Sequence, residues 1–566
     1  MRHVRAVSAA IAALCLSGGA LLAAPAAAQL PPVPRPPLTG HLLAINDFHG
    51  QLDPLSTITT AVAGTPAGGV EYLAHYVKER RVLDKASSSA VFTVAAGDTV
   101  GKSSLDSRLF HDEPAIEEMN SLGLDVAGVG DHEFDEGVSE LLRLQHGGCH
   151  PVDGCQDGDG FRGASYPMLA ANVVYQKNNV PVLPPFTIKL VGKVPVGFVG
   201  VTLKDTPASV IPAGIRNVKF LDEVSTANFY AKVLKALGVK AVVLLLHQGG
   251  AQSTAGPPPD PNGCAGFGGP VTDIVKGLDP AYGIVVSGHT HQWYSCALPN
   301  SSGATSLVTS AGSAGRLFTD ITFQVDQATR KFTSVAAQNV IVANGVPTNG
   351  GWAGSGGFFL LDRVVGSTTA DIDNQISPTG ESPMGDVVAD GLLAYTRQSG
   401  AQIALIGPQQ VRRSLVYDNS QGGEAPGEVT YGEALNVQPI EDLVVTLSYT
   451  GAQLKEVLEQ QFAGYAGQNA TRILQVSQGF TYTYDSTLPL GARVSDLALD
   501  GTPLDPAATY RVTANAYEAG GGDGFTNLGV GTNRQVASGF DIDALIAHLA
   551  TGPIAPGPVD RIHQAG

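Results

Sequence analysis

Five apolar runs in this chain stop at residues able to bind a cation. HLLAINDFHG (41–50) delivers Asp47 and His49, and AVFTVAAGDTVG (90–101) delivers Asp98. VAGVGDHEFD (126–135) delivers Asp131 and His132, AVVLLLHQGG (241–250) His247, and GIVVSGHTHQ (283–292) His289 and His291. Carboxylates and imidazoles without a thiolate among them suit Zn²⁺, Mn²⁺, Fe, Co or Ni. The donors are too many for one tetrahedral ion, and a pair of ions about 3.5–4 Å apart fits better. Burying this many Asp and His side chains together is costly unless a cation neutralises them. A single histidine at a strand end is more often a satisfied structural residue, so the inference rests on the five runs together.

Such residues must be positioned by strands that end side by side. From 41 to about 340, short apolar runs alternate with helical periodicity, as in GGVEYLAHYVKERRVL and STANFYAKVLKALG. That is α/β layering, and in open α/β sheets ligands bind at the carboxyl edge of the strands. A Gly/Asn-rich stretch, ANGVPTNGGWAGSGGF (343–358), breaks the pattern, and GVPTNGGWAGSGG within it is no stable helix. A second mixed α/β region follows. It opens with the helical GDVVADGLLAYTRQSG and closes with DIDALIAHLA. The expected organisation is a signal peptide (1–28), a proline-rich lead-in (29–40), a first α/β domain (41–342), a linker (343–360) and a second mixed α/β domain (361–552).

The signal is read from Arg2 and Arg5, the apolar run that follows, and the small-residue pattern Ala26-Ala27-Ala28. Leu14 before Cys15 argues against a lipid anchor, and no later segment reaches about 18 uninterrupted apolar residues. An extracytoplasmic, non-inserted monomer is expected, whether secreted, periplasmic or held at a cell wall. Cleavage would remove two arginines and take the formal charge from −17 to −19. That repels nucleic-acid polymers and anionic membranes, so cations for an anionic substrate must be local. Of the remaining cysteines, Cys149 and Cys155 share one short loop and are expected to pair, leaving Cys264 for Cys296.

The motifs DFHG, GD, GDHEFD, LLHQGG and GHTH resemble those of the calcineurin-like metallophosphoesterases. More narrowly, the chain from 41 to about 550 resembles the exported bacterial 5′-nucleotidase and UDP-sugar hydrolase family. LAANV (169–173) adds to this in the first half; ESPMGDVVADGLL, GEVTYGEALNVQP, LQVSQGFTYTYD and GGGDGF do so in the second. The resemblance implies a four-layer αββα metallophosphoesterase domain followed by a mixed α/β substrate domain. It implies two divalent ions (Zn, Mn, Co or similar), one held by Asp47, His49, Asp98 and His291, the other by Asp98, Asp131, His247 and His289. A hydroxide shared by the ions would attack phosphorus. His132 would stabilise charge on the phosphoryl or leaving oxygen, oriented and kept cationic by Asp135, at an i, i+3 spacing that suits a helix. Glu133 is expected to point outward. Asn46 reads equally as a support for the ligands or as a turn residue.

The chain departs from the family in several places. Asp131 stands where the family has Asn, adding a negative charge that should tighten metal binding, raise the pKa of the bridging water and repel phosphate somewhat, leaving activity at a reduced rate or with an alkaline-shifted optimum. GPQQVR stands where the family has an Asn-Pro-Gly-Gly or Asn-Gly-Gly-Gly loop ending in Ile-Arg. Arg412 is kept as an anion clamp, Gly407 replaces a nucleoside-contacting Asn, and Gln409 and Gln410 replace glycines. Ile440 takes one of two base-stacking Phe positions and Tyr517 the other. Asp523 is placed to accept a ribose or base hydrogen bond. The expected substrate is a small phosphorylated metabolite, led by nucleoside 5′-monophosphates and then other nucleotides including UDP-sugars. A 2′,3′-cyclic nucleotide, a non-nucleotide phosphate ester or a catalytically weakened nucleotide-binding protein are the alternatives.

Overall fold

The computed structural model describes residues 35–53, 62, 64–155, 160–255, 258–345, 361–419, 423–439 and 442–565. The expected signal peptide, the first half of the lead-in, most of the linker, and Ile440 lie outside the described residues.

Residues 38–341 build two six-stranded sheets. Their strands are β1 (Leu38–Ile45), β2 (Ala90–Ala96), β3 (Val126–Gly128), β4 (Met168–Leu169), β6 (Phe186–Val191), β7 (Val194–Val201), β9 (Ala241–Leu246), β10 (Tyr282–Ser287), β11 (Trp293–Pro299), β12 (Thr305–Ala311), β13 (Leu317–Val325) and β14 (Phe332–Ile341). A small antiparallel pair, β5 (Val173–Tyr175) and β8 (Val218–Phe220), stands apart. The first sheet runs β14-β13-β1-β2-β3-β4 and the second β11-β12-β10-β9-β7-β6. In the first, β1, β2, β3 and β4 are parallel; in the second, β7, β9, β10 and β12 are parallel.

Period-2 alternation in these strands sorts the core into layers. Leu42, Ala44, Val94 and Ala96 of the first sheet face Phe198, Val243, Leu245 and Val286 of the second. The alternate residues Leu43, Ile45 and Ala95 pack outward beneath the helices Val70–Lys85 and Glu113–Leu122. On the far side Val242, Leu244 and Leu246 pack against Glu223–Ala236 and Pro270–Gly277. The result is the expected four-layer αββα arrangement. AVVLLL of β9 is buried on both faces throughout, the signature of an internal parallel strand, and each such Leu contributes about 1.5–3 kcal/mol by burial.

The second half has a five-stranded sheet ordered Gln475–Val476, Ile403–Ile406, Thr509–Asn515, Leu443–Thr450, Thr532–Phe540. Helices Pro383–Thr396 and Asp541–Leu549 cover one face, and Gly451–Glu459 packs on the other. Strand Ile562–Gln564 pairs in parallel with Phe480–Tyr484, so the fold continues past 552. Both disulfides join the expected partners, Cys149 to Cys155 and Cys264 to Cys296. Among the described residues no helix is long and apolar enough to cross a membrane.

Candidate metal centre and adjoining pocket

The carboxyl ends of β1, β2, β3, β9 and β10 converge, and the residues just beyond them form one cluster. His247 Nε2 lies 3.0 Å from Asp98 Oδ2, 3.1 Å from Asp131 Oδ1 and 3.9 Å from Asp47 Oδ1. His289 Nδ1 is 3.2 Å from Asp131 Oδ1. On the other side His49 Nε2 is 2.9 Å from His291 Nε2 and 3.7 Å from Asp98 Oδ2, and His291 Nε2 is 3.6 Å from Asp47 Oδ1. Two donor groups result, Asp47-His49-His291 and Asp131-His247-His289, each with ligand atoms within 4.8 Å of one another. Asp98 lies between them. All seven residues expected as metal ligands are thus brought together.

The backbone is bent to do this. Asp47, His49, Asp98, His289 and His291 all have positive φ, between 48° and 70°. Such conformations cost about 1–3 kcal/mol each for residues other than glycine and gather at functional sites. The chain therefore turns sharply just beyond β1, β2 and β10, aiming side chains across the sheet edge.

The electrostatics fit a divalent cation. Asp47, Asp98, Asp131 and His247 are essentially fully buried. Burial pushes the Asp47 carboxyl up to about 7, against the pull of His247. Burial, with His49 adding to it, pushes His291 down to about 4. Two imidazole nitrogens face each other at 2.9 Å, and His247 Nε2, though close to carboxylate oxygens, is aligned with none as a hydrogen-bond partner. Their other ring nitrogens are already engaged: His49 Nδ1 with the Gly101 carbonyl (2.6 Å) and His247 Nδ1 with the Ala96 carbonyl (2.9 Å). That leaves both Nε2 atoms directed inward, the usual arrangement of metal-binding histidines.

Asn46 proves to be a support. Its Nδ2 donates to Asp47 Oδ2 (2.6 Å) and the Gly312 carbonyl (2.7 Å), while its Oδ1 accepts from the Ala311 amide (2.7 Å). Glu133 corrects the expectation that it points outward. It is 4% exposed, and its carboxylate accepts from the amides of Asp98 (3.0 Å), Thr99 (2.6 Å) and Gly130 (2.5 Å). Burial, then the neighbouring Asp98, raises its carboxyl to about 8. The three donors come from the two loops after β2 and β3, so Glu133 ties together the loops that carry Asp98 and Asp131.

His132 and Asp135 sit on a 3₁₀ turn, His132–Phe134, and not on an α-helix. Its tighter winding places residues i and i+3 over one another, and His132 Nδ1 lies 2.9–3.0 Å from both Asp135 oxygens. Burial would lower the His132 imidazole, but Asp98, Asp135 and Asp131 outweigh it and raise it to about 9. Gly101 (φ 83°) lets the backbone pass against His132, because a Cβ there would overlap the His132 carbonyl.

A cavity of about 600 Å³ opens from Asp131, His132 and His289 toward the second half of the chain. There it meets Gln409, Gln410, Arg412, Tyr517 and Asp523. Tyr517 is 47% exposed, and its hydroxyl lies 3.1 Å from Asp523 Oδ1. Gly407 does not line the cavity. Its amide donates to the buried Glu518 carboxylate, and a Cβ at 407 would overlap Glu518 Oε1. Lys102, Asp442 and Arg534 also line the cavity, and sequence reasoning missed them. Lys102 follows the legible Asp98 motif by four residues, whereas Arg534 lies on an edge strand with no local signal. A second cavity of about 580 Å³, near Lys235 and Phe332, contains none of these groups.

Comparison with known proteins agrees with this geometry. The family described as "5′-nucleotidase, C-terminal domain" matches residues 364–529. Endonuclease YhcR of Bacillus subtilis is 30% identical over 93% of this chain, which spans 41% of that relative. Cell wall protein Lmo0130 of Listeria monocytogenes is 30% identical over 86% of this chain, which spans 64% of it. The solved structure of a 5′-nucleotidase precursor from Thermus thermophilus has the same fold, with a TM-score of 0.53 at 24% identity, covering 93% of this chain and 99% of that one. Residues 364–529 thus belong to the 5′-nucleotidase C-terminal domain family, and the chain from its strand-end donor cluster onward shares the fold of solved 5′-nucleotidases.

Proposed function

We propose that the chain is an extracytoplasmic, metal-dependent phosphoric ester hydrolase that cleaves nucleoside 5′-monophosphates, with UDP-sugars and other nucleotides as further substrates. The convergence of seven N and O donors beside a cationic His132, with Asp131, His132 and His289 opening onto one cavity, carries this reading. Asp47, His49, Asp98 and His291 would hold one divalent ion, and Asp98, Asp131, His247 and His289 the other. A bound pair supplies an activated water and Lewis-acid neutralisation of the phosphoryl group. The protein's own groups do the rest. His132, held by Asp135, places a positive N–H where charge develops on the phosphoryl or leaving oxygen. Arg412 supports a phosphate from the opposite wall, Tyr517 offers a ring face to a base, and Asp523 accepts from its sugar or edge. The two disulfides and the relative named as a cell wall protein support a location outside the cytoplasm.

The test is phosphate release by purified protein with Mn²⁺ or Zn²⁺ from AMP, UDP-glucose, 2′,3′-cyclic AMP and a sugar phosphate. Release from AMP that disappears in Asp98→Asn supports the reading, and release from none of the four overturns it. The Bacillus subtilis relative is named an endonuclease, which favours polynucleotide hydrolysis as a second reading. The formal charge of −17 opposes it, and cleavage of a single-stranded oligonucleotide faster than AMP would reverse that order.

A further inference from the structure

Outside the strand-end cluster, the disulfide loop carries a second set of donors. Cys149–Cys155 closes a loop with His150 and Asp153 inside it. The loop lies against His111, whose ring stacks on His150 with centroids 3.6 Å apart and 14° between planes. His111 Nε2 is 2.9 Å and His150 Nδ1 3.3 Å from Asp153 Oδ2, and one ligand atom from each residue lies within 4.8 Å of the others. Adjacent donors around a tetrahedral Zn²⁺ with bonds of about 2.0–2.1 Å are about 3.3 Å apart. Glu136 stands behind, 3.7 Å from His111 Nδ1, able to orient the ring from its other nitrogen.

We propose that His111, His150 and Asp153 form a third site for a late first-row divalent cation such as Zn²⁺. Two imidazoles and one carboxylate are a donor set of that class. The side chains are neither deeply buried nor free, with exposures of 18%, 13% and 39%. The buried trio His41-Asp84-Asp320 makes a useful contrast. There Arg80 Nε lies 2.6 Å from Asp320 and 3.2 Å from Asp84, so the cation is already built into the protein. At the loop, Arg143 instead pairs with Glu140 and Glu113 and gives His111 only a bond to its carbonyl. The stacked rings splay on binding so that both lone pairs meet the ion, and His150 Nδ1 gives up the amide of Asp153, 3.2 Å away.

The site's position gives it a structural role. His111 precedes Asp112, whose Oδ2 accepts from the Gly101 amide at 3.1 Å, and the Gly101 carbonyl holds His49 Nδ1. A cation at His111 therefore fastens the 101–112 segment to the 149–155 loop, behind the His132–Asp135 pair.

The experiment is Zn²⁺ titration of the chelator-stripped full-length protein, followed by calorimetry and by metal analysis after desalting. The parent should retain one equivalent more than His150→Gln and one more than Asp153→Asn, with thermal unfolding of the two variants unchanged in excess chelator. Cys149→Ser/Cys155→Ser should weaken that same equivalent about tenfold or more. Equal stoichiometry in the parent and both single variants overturns the proposal. The one-equivalent difference is read whatever the strand-end cluster binds, so it stands or falls apart from the proposed hydrolase activity.

Discussion

At the scale of single residues, Asp131 is the most informative departure. Its Oδ1 is shared by His247 and His289, and those contacts hold its carboxyl far below the ordinary carboxylate range despite burial. It therefore brings a full negative charge to the cavity wall, where it would face the phosphate of the proposed substrate. Asp131→Asn should shift the pH–rate optimum to lower pH, raise kcat a few fold and weaken metal retention; a profile superimposable on the parent's would refute this role. His132→Asn should lower kcat by about 10²–10⁴-fold with bound metal unchanged, measured by initial rates beside metal analysis. The contrast with Glu133 shows what a sequence makes legible. Asp47, Asp98, Asp131, His247 and His289 each follow an apolar run, so chain order alone places them on one edge. The partners of Glu133 are backbone amides of residues 98, 99 and 130, and no side-chain pattern encodes them.

At the scale of elements, the loop at 407–410 and the short helix Ala516–Ala519 exchange volume. The resemblance implies a side chain at 407, and in this chain Glu518 fills that space from the helix, with no exposure to solvent. Gly407→Asn should therefore destabilise by about 1–3 kcal/mol through overpacking, and Gly407→Asn/Glu518→Gly should recover most of it in urea unfolding. Glu518 also sets a pH dependence. Burial raises its carboxyl from 4.5 to about 8. Between those values the folded state keeps a proton that the unfolded chain releases, so stability falls as pH rises, by up to about 1.4 kcal/mol per unit. Glu518→Gln should flatten the urea midpoint between pH 5 and 8, and an unaltered slope would sink the argument. The parallel strands of the first half were legible because runs such as AVVLLL are apolar on both faces. The second half's sheet was not, because Ile403–Ile406 pairs with Thr509–Asn515, more than 100 residues away, and its order follows from tertiary contacts alone.

At the scale of the whole molecule, the two halves should differ in what stabilises them. Residues 38–341 bury three aspartates and a histidine at one sheet edge and bend five non-glycine residues into positive φ around them. That arrangement offsets its own cost only when cations compensate the carboxylates. In residues 364–565 some polar groups are held by internal partners instead, as where Arg561 pairs with Asp390 at 2.8 Å and Gln475 donates to the Gly380 and Ile473 carbonyls. Two ions each present at about 1,000 times Kd would stabilise the first half by about 8 kcal/mol. With an unfolding entropy of about 2.1 cal/mol/K per residue over about 300 residues, that corresponds to a Tm difference of about 13 °C. Differential scanning calorimetry in chelator should thus resolve two transitions, one lowered by about that amount and recovered on adding Zn²⁺ or Mn²⁺, the other unmoved. A displacement below about 2 °C would mean that the seven donors stabilise one another unaided, and a metal pair would lose its physical reason to be there. A shift of both transitions together would instead show that the cavity between the halves transmits the metal's stabilisation across it.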